Sequence, residues 1–456
     1  MAELAMKYQQ YEEYKDSGVE WLGEIPSHWN LSSLKRCVDG CTNGIWGSEP
    51  EESSDNTVVL RVADFDRDKL EISEEKLTLR NISPKERENR LLRKGDLLIE
   101  KSGGGDKTLV GCVVLFDKDF RAVTSNFVAK MTPKINYESS FLKYAFSLLY
   151  DGRVNYASIK QTTGIQNLDS DAYLMEKFVF PEKEEQIQIA NFLDHETAQI
   201  DTLIEKQQTL IQLLKEKRQA VISHAVTKGL NPDAPMKDSG MEWLGEVPEH
   251  WEVIQAKYIA DITRGAILRP VDAPEYFDEN GEWSYLNISD ATKCDKYLYE
   301  SKLRLSPLGS KKSARVYPNN LIITASATIG KAFINKVKVC VHDGFIPFCN
   351  IKVDINYLYH YVSNPYLYAA MGKSNTQKNI YLDEVKNMIV TVPSREEQEK
   401  IVEHIEKNQN EYSKLIDKAK QQIQLMQERR TALISAAVTG KIDVRGWVAP
   451  DVDSLE

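Results

Sequence analysis

The chain has 456 residues, of which 42% are hydrophobic and 28% charged, with 58 basic and 68 acidic side chains for a net charge of −10. This length predicts two to four domains with real cores, and the composition excludes a globally disordered chain. No apolar run approaches the ~20 residues of a membrane helix, and the N-terminus lacks the basic-then-apolar pattern of a secretory signal, so an intracellular, cytoplasmic protein is expected. The acidic total taken alone argues against nucleic-acid binding. Cys37, Cys41, Cys112, Cys294, Cys340 and Cys349 are expected to be free thiols, because the only close pair, Cys37 and Cys41, has no second pair or nearby histidine to complete a zinc site.

Residues 1–14 are polar and acidic and read as a loose tail. Residues 15–29 then read KDSGVEWLGEIPSHW, and residues 237–251 read KDSGMEWLGEVPEHW, identical at twelve of fifteen positions. A match of this length marks a tandem duplication. Trp21, Trp29, Trp243 and Trp251 in these heads are expected to anchor the segments that follow, with His28 and His250 as packing or hydrogen-bonding groups. The first middle offers strands at 57–62, 96–100, 112–116 and 127–131 and a helix at 141–149. The second offers a matching series in the same order at 283–287, 320–324, 345–351 and then 357–362. Short apolar runs bounded by Gly, Asn and Asp predict mixed α/β domains.

Residues 181–186 (PEKEEQ) correspond to 393–398 (PSREEQ), and the register holds without a gap to 220–227 (AVISHAVT) and 432–439 (ALISAAVT). Leu193, Ile200, Gln207, Leu214 and Val221 recur every seven residues, with Leu203/Ile204 and Leu210/Ile211 between them. Ile405, Tyr412, Ala419, Met426 and Leu433 repeat the pattern with Leu415/Ile416 and Ile423. A sustained seven-residue apolar period predicts two long helices paired as a coiled coil, and a whole domain between them permits an antiparallel pair. Each spans roughly 40 residues, or ~60 Å, and Gly229 and Gly440 supply stop signals. The expected order is a tail (1–14), head and middle (15–180), long helix (181–229), second head and middle (230–392), second long helix (393–440) and a C-terminal tail (441–456).

Charge is segregated along this plan. Segments 1–29, 181–251 and 393–456, the frame, hold 19 basic and 31 acidic residues, whereas the middles are near neutral, at −1 for 30–180 and +3 for 252–392. Within 293–338, ten basic residues, among them Lys311, Lys312, Arg315 and Lys331, face only Asp295 and Glu300, with Tyr297, Tyr299 and Tyr317 interleaved. Such a patch is what phosphate contact requires; a solvated basic face is the alternative. Arg80, Lys85, Arg87, Arg90, Arg93 and Lys94 form a weaker counterpart in the first middle.

No catalytic motif is complete. Asn364-Pro-Tyr366 lacks the second proline of an adenine methyltransferase loop, and 325–331 (ASATIGK) lacks the first glycine of a P-loop and its Ser/Thr after the lysine. Asp96 and Glu100-Lys101 lack the spacing of a metal-dependent nuclease.

The duplicated WLGE(I/V)P-x-HW heads, the P-x-x-E-E-Q helix openings and the diverged middles resemble the specificity subunit of type I restriction–modification systems over nearly the whole chain. The resemblance implies an α+β chain with an internal pseudo-twofold repeat, its middles being target-recognition domains that each read half of a split, asymmetric double-stranded DNA target. It implies that the paired helices space the readers and dock two adenine-N6 methyltransferase (modification) subunits, joined by restriction/translocase subunits. It implies no catalysis, cofactor or metal on this chain; S-adenosylmethionine, and ATP with magnesium, belong to the partners.

Two loops in each middle occupy matching places and are the candidate DNA contacts. The first follows a strand and holds Lys101, Ser102, Gly103, Gly104 and Lys107 in one half, and Ser326, Thr328 and Lys331 in the other. The second precedes the return to the frame and holds Thr162, Thr163, Gln166 and Asn167, matched by Asn375, Gln377, Lys378 and Asn379. Small residues let backbone approach a duplex, and Asn and Gln suit adenine edges; ordinary polar turns are the alternative. A non-catalytic scaffold with peptide- or ligand-binding middles is the rival function, and a self-contained enzyme ranks third.

Overall fold

The structure, a computed structural model, describes residues 8–52, 55–103, 108–162, 164–270, 273–326, 328–370 and 379–450. It divides into two compact units, one of Met1–Gln207 with Gln421–Glu456 (unit 1) and one of Gln208–Lys420 (unit 2). Each contains a head, a middle, and parts of two long helices, Lys183–Lys228 and Arg395–Val438.

The duplicated motifs are the joints of the frame. In unit 1, Glu185 in the first turn of a long helix accepts hydrogen bonds from the Tyr11 hydroxyl (2.7 Å) and Trp29 Nε1 (3.1 Å), and lies 2.9 Å from His28 Nε2. Gln186, 1% exposed, donates to the Pro181 carbonyl (2.9 Å) and accepts from Glu138 N (2.9 Å), which ties the start of helix Ser139–Asp151 to the long helix. Unit 2 repeats this: Gln398 donates to Pro393 O (2.8 Å) and accepts from Asp354 N (2.7 Å), beside helix Ile355–Val362. Glu397 lies 2.9 Å from His250 Nε2, but buried Trp251 Nε1 has no hydrogen-bond partner among the described residues.

The far ends of the helices meet the same tryptophans. Gly440 (φ +71°) and Gly229 (φ +78°) adopt the left-handed conformation that ends a helix. A Cβ on Gly440 would lie 3.3 Å from Trp29 and 2.4 Å from Pro26, and one on Gly229 would lie 3.1 Å from Trp251. Each head therefore receives the start of one long helix and the end of the other, which makes the pair antiparallel. Ile189, Leu193 and Ile200 share a core with Leu433, Ile434 and Val438 in unit 1, while Ile222 and Val226 share one with Ile401 and Ile405 in unit 2. Arg430 Nε meets Asp201 Oδ1 at 3.1 Å beside the first of these. The seven-residue seam holds, with a refinement: Ile204, Ile211 and Ile416 face it, whereas Leu203, Leu210 and Leu415 point to solvent, together with Leu213 and Leu425.

The middles are mixed α/β bodies. In the first, Val113–Phe116, Asp96–Glu100, Val128–Met131 and Thr42–Asn43 form an antiparallel sheet in that order, covered by helix Ser139–Asp151. In the second, Ala332–Asn335, Leu321–Thr324 and Phe345–Cys349 form its counterpart, under Ile355–Val362. A parallel pair stands beside each sheet, Asn56–Leu60 with Ala122–Thr124 and Trp283–Leu286 with Val339–Val341. Strands Asn30–Ser33 with Lys177–Phe180, and Glu252–Gln255 with Ile389–Val392, close each middle back onto its head.

One expectation needs correction, the loose N-terminal tail. Residues 8–14 are packed: Tyr11 is buried, and Tyr8 stacks edge-on against Phe192 at 5.3 Å. Beyond Gly440, Ile442 and Val444 are also buried, and Asp443 N donates to Gln9 O at 2.8 Å. Tyrosines spaced along a polar segment supply the apolar surface that its average composition hides. The near-motif Asn364-Pro-Tyr366 starts a helix, Pro365–Ala370, with buried Asn364 bonded to Ser223 Oγ at 2.9 Å.

Candidate nucleic-acid interface

Two polar loops that are distant in each middle's sequence converge on one ladder. In unit 1, Ser102–Gly103 pairs antiparallel with Ile165–Leu168, setting Ser102 opposite Asn167 and Gly103 opposite Gln166; Ile159–Thr162 completes the sheet. Ser102 Oγ donates to Asn167 Oδ1 at 2.6 Å, and Leu168 N donates to Lys101 O at 2.8 Å. In unit 2, Ser326 bridges Asn379, and Ile380 N donates to Ala325 O at 2.8 Å. The same Ser–Asn pair beside the same backbone bond recurs in both copies. Each first loop also rests on the return strand, through Lys101 N to Phe127 O (2.8 Å) and Ala325 N to Gly344 O (2.7 Å).

The floor beneath the first clasp is a buried carboxylate. Glu100 Oε2 meets Arg67 Nη2 at 2.6 Å, and Arg67 Nη1 donates to the Tyr150 hydroxyl at 3.0 Å. Burial raises the Glu100 pKa, and the Arg67 guanidinium opposes that rise. A Cβ on Gly103 (φ +134°) would stand 3.2 Å from Glu100 Oε1, so glycine lets the strand cross this floor. Beside the clasp lies a hollow of about 580 Å³, lined by Trp46, Arg61, Ser102, Gly103, Asn126 and the exposed Phe127.

The expected contact residues fall into three groups. Asn167, Asn379, Thr328 and Lys311 are exposed, and Lys311 has no partner among the described residues. A second group is held by the fold: Lys101 Nζ donates to Asn43 Oδ1 (2.8 Å), Lys312 Nζ to the Tyr276 hydroxyl (2.7 Å), Arg315 Nε to Ser310 O (2.8 Å), and Lys331 Nζ to Asp295 O (3.4 Å). Gln166, expected at a base edge, instead faces inward, 5% exposed, and accepts from Val110 N at 3.2 Å. Its period-two position on the strand, one residue before outward-facing Asn167, is the reason. Gly104, Lys107, Thr163, Asn375, Gln377 and Lys378 lie outside the described residues, and Thr162 ends its strand.

The basic run of unit 2 is partly neutralised. Lys296 pairs with Glu406 (2.6 Å) and Lys338 with Glu282, while the Arg315 guanidinium lies 5.1 Å from the centre of the Trp283 ring. Sequence reasoning passed over Trp46, Arg61 and Phe127 at the hollow; the available signal was Phe127, an aromatic directly after the polar run Thr124-Ser-Asn126. All six cysteines are free, and the described residues contain no cluster of three or more His, Cys, Asp or Glu able to hold a metal. No described helix is long and apolar enough to cross a membrane.

The family of type I restriction modification DNA specificity domains matches residues 66–213 and 248–425, most of the chain and once in each copy of the repeat. The chain belongs to the type I restriction–modification specificity subunits. It is 22% identical to the putative type I restriction enzyme MjaX specificity subunit of Methanocaldococcus jannaschii over 97% of this chain and 99% of that one. The MjaVIII specificity subunit of the same organism is 25% identical over 62% of this chain and 66% of its own length. Among solved structures, a chain from a study of the assembly and conformational transition of the type I R-M system superposes with a TM-score of 0.70 at 14% identity, covering 91% of this chain and 98% of that one. The HsdS subunit from Thermoanaerobacter tengcongensis superposes with a TM-score of 0.53 at 16% identity, covering 92% and 98%. These likenesses show that the chain shares the fold of those solved chains.

Proposed function

We propose that this specificity subunit reads a split, asymmetric double-stranded DNA sequence, one half with each middle, and directs partner methyltransferase and restriction subunits to it without catalysis of its own. The recurrent Ser–Asn clasp carries the reading. It supports a common loop mount in both middles, while the loop sequences it displays differ, KSGGGDKT after Glu100 against ASATIGK after Thr324. Unlike loops on a shared mount are suited to unlike half-sites. Asn167, Asn379, Thr328 and Lys311 supply exposed amide, hydroxyl and ammonium groups for base edges and phosphates.

The acidic frame suits protein partners, and leucines 203, 210, 213, 415 and 425 form apolar ground on otherwise charged helices for two modification subunits. S-adenosylmethionine, and ATP with magnesium, would reside on the partners, and the assembly would work in the cytoplasm. The test is the salt dependence of DNA affinity for the chain assembled with its methyltransferase. Affinity falling linearly on a log–log plot, by a slope of about −0.9 per phosphate contacted, supports DNA reading. No DNA affinity in that assembly favours the rival scaffold.

A further inference from the structure

Each unit has a crevice between its recognition middle and its long helices, and the two crevices occupy the same place in the repeat. The helices correspond at a spacing of 212 residues, so Arg218 in unit 2 matches Arg430 in unit 1 and Ser413 matches Asp201. In unit 1, Arg430 is neutralised by Asp201 at 3.1 Å, and the Tyr144 hydroxyl is satisfied by Asp194 (2.7 Å) and Thr197 (3.1 Å). Three cations line that crevice against five carboxylates.

Unit 2 has the opposite balance. Its crevice, about 640 Å³, is lined by Arg218, Lys296 and Lys331 against a single carboxylate, Asp295. With serine in place of the aspartate, Arg218 has no ion-pair partner among the described residues. Two further groups are unsatisfied there: buried His360 Nε2, on a residue only 1% exposed, and the buried Nε2 of Gln219. Buried polar atoms without partners are uncommon and costly in folded proteins, and two in one cationic crevice point to a missing acceptor. We propose that this crevice of unit 2 binds a phosphate-type oxyanion, with Arg218 as its charged anchor and Gln219 and His360 as neutral donors. Burial, reinforced by Lys296, pushes the His360 pKa down to about 3, so its imidazole is neutral and able to donate through Nε2. Lys331 offers a second positive charge, and Lys296 is occupied by Glu406 at 2.6 Å. An oxyanion there would tie the middle of unit 2 to its helices, a role filled in unit 1 by that unit's own carboxylates. The inference is independent of DNA reading.

Equilibrium dialysis of the full-length chain with labelled inorganic phosphate, at constant ionic strength in chloride, tests it. A single saturable class of sites is expected, weakened about tenfold or more in Arg218→Gln, as fits loss of a charge-assisted hydrogen bond. Ser413→Asp, which installs the unit 1 carboxylate, should weaken it likewise, and exposed Arg429→Gln should not. Absence of saturable binding, or wild-type binding in both crevice variants, overturns the proposal. A second arm adds duplex DNA to the phosphate-loaded chain. Displacement assigns the oxyanion to a DNA backbone phosphate, and simultaneous binding assigns it to a free phosphorylated ligand.

Discussion

Ser102 Oγ donates a 2.6 Å hydrogen bond to Asn167 Oδ1, and the equivalent residues of the other copy, Ser326 and Asn379, face each other across an isolated bridge. A pair common to two middles that otherwise diverge is a mount before it is a reader. Ser102→Ala should therefore lower binding of the first half-site by about 1 kcal/mol, the worth of one hydrogen bond, with base preference kept. Asn167→Ala removes both the clasp and an exposed amide and should relax preference at one position of that half-site. Methylation rates on duplexes with single-base changes check both, with methyltransferase co-purification unchanged. Gln166→Ala, by contrast, should lower stability and leave preference alone, because its amide oxygen serves Val110 N inside the fold.

The two glutamates that open the long helices differ in what depends on them. Glu185 bonds Tyr11, Trp29 and His28, whereas Glu397 meets only His250 among these equivalents. Loss of Glu185 strands buried donors, so Glu185→Ala should cost about 3 kcal/mol and Glu397→Ala about 1 kcal/mol or less. Urea unfolding followed by tryptophan fluorescence measures the difference, and equal losses would contradict this account of the joint.

His360 makes the stability of unit 2 depend on pH in one direction. Its folded pKa, pushed down to about 3 chiefly by burial, lies below the ordinary value of 6.5, so the unfolded chain takes up the proton first. Its contribution is complete above about pH 6.5 and declines as pH falls, by up to ~1.4 kcal/mol per pH unit. The charged groups lining the crevice with it are Arg218, Lys296, Lys331 and Asp295. Protection factors against hydrogen exchange in helix Ile355–Val362, each taken relative to the intrinsic rate at the same pH, should fall between pH 7 and pH 5 in the wild type and less in His360→Asn.

Leu210 and Leu213 are exposed on a long helix and do not serve its seam. Leu210→Asp and Leu213→Asp together should weaken capture of the methyltransferase at least tenfold with helix content unchanged, as expected when apolar contact is replaced by desolvated charge. Circular dichroism and co-purification read the two effects separately.

Much of the frame was legible in the sequence, because repetition and a seven-residue period are local signals that survive averaging. The P-x-x-E-E-Q string was visible as a repeat, yet its meaning lay in partners elsewhere: Gln186 reaches back to Pro181 and across to Glu138, and Glu185 reaches Trp29. Seam membership within Leu203/Ile204 was not decidable from apolar character alone; helix geometry turns Ile204 inward and Leu203 out. The candidate loops were recognised separately, but their union depends on pairing across 65 residues between Ser102 and Asn167, which no local pattern encodes. The inward turn of Gln166 follows once that strand exists, since alternate residues face opposite sides. The hollow at Trp46, Arg61 and Phe127 joins three segments and had no contiguous signature.

The most direct test of two unlike readers on one frame is a genome-wide map of N6-methyladenine in the host, with the gene intact, deleted, and carrying Asn167→Ala. A split, asymmetric motif should lose methylation on deletion, and in the variant its change should be confined to one half, with the other half and the spacer preserved. A host with an expressed partner methyltransferase in which deletion alters no motif, or a variant in which both halves change together, would contradict this account.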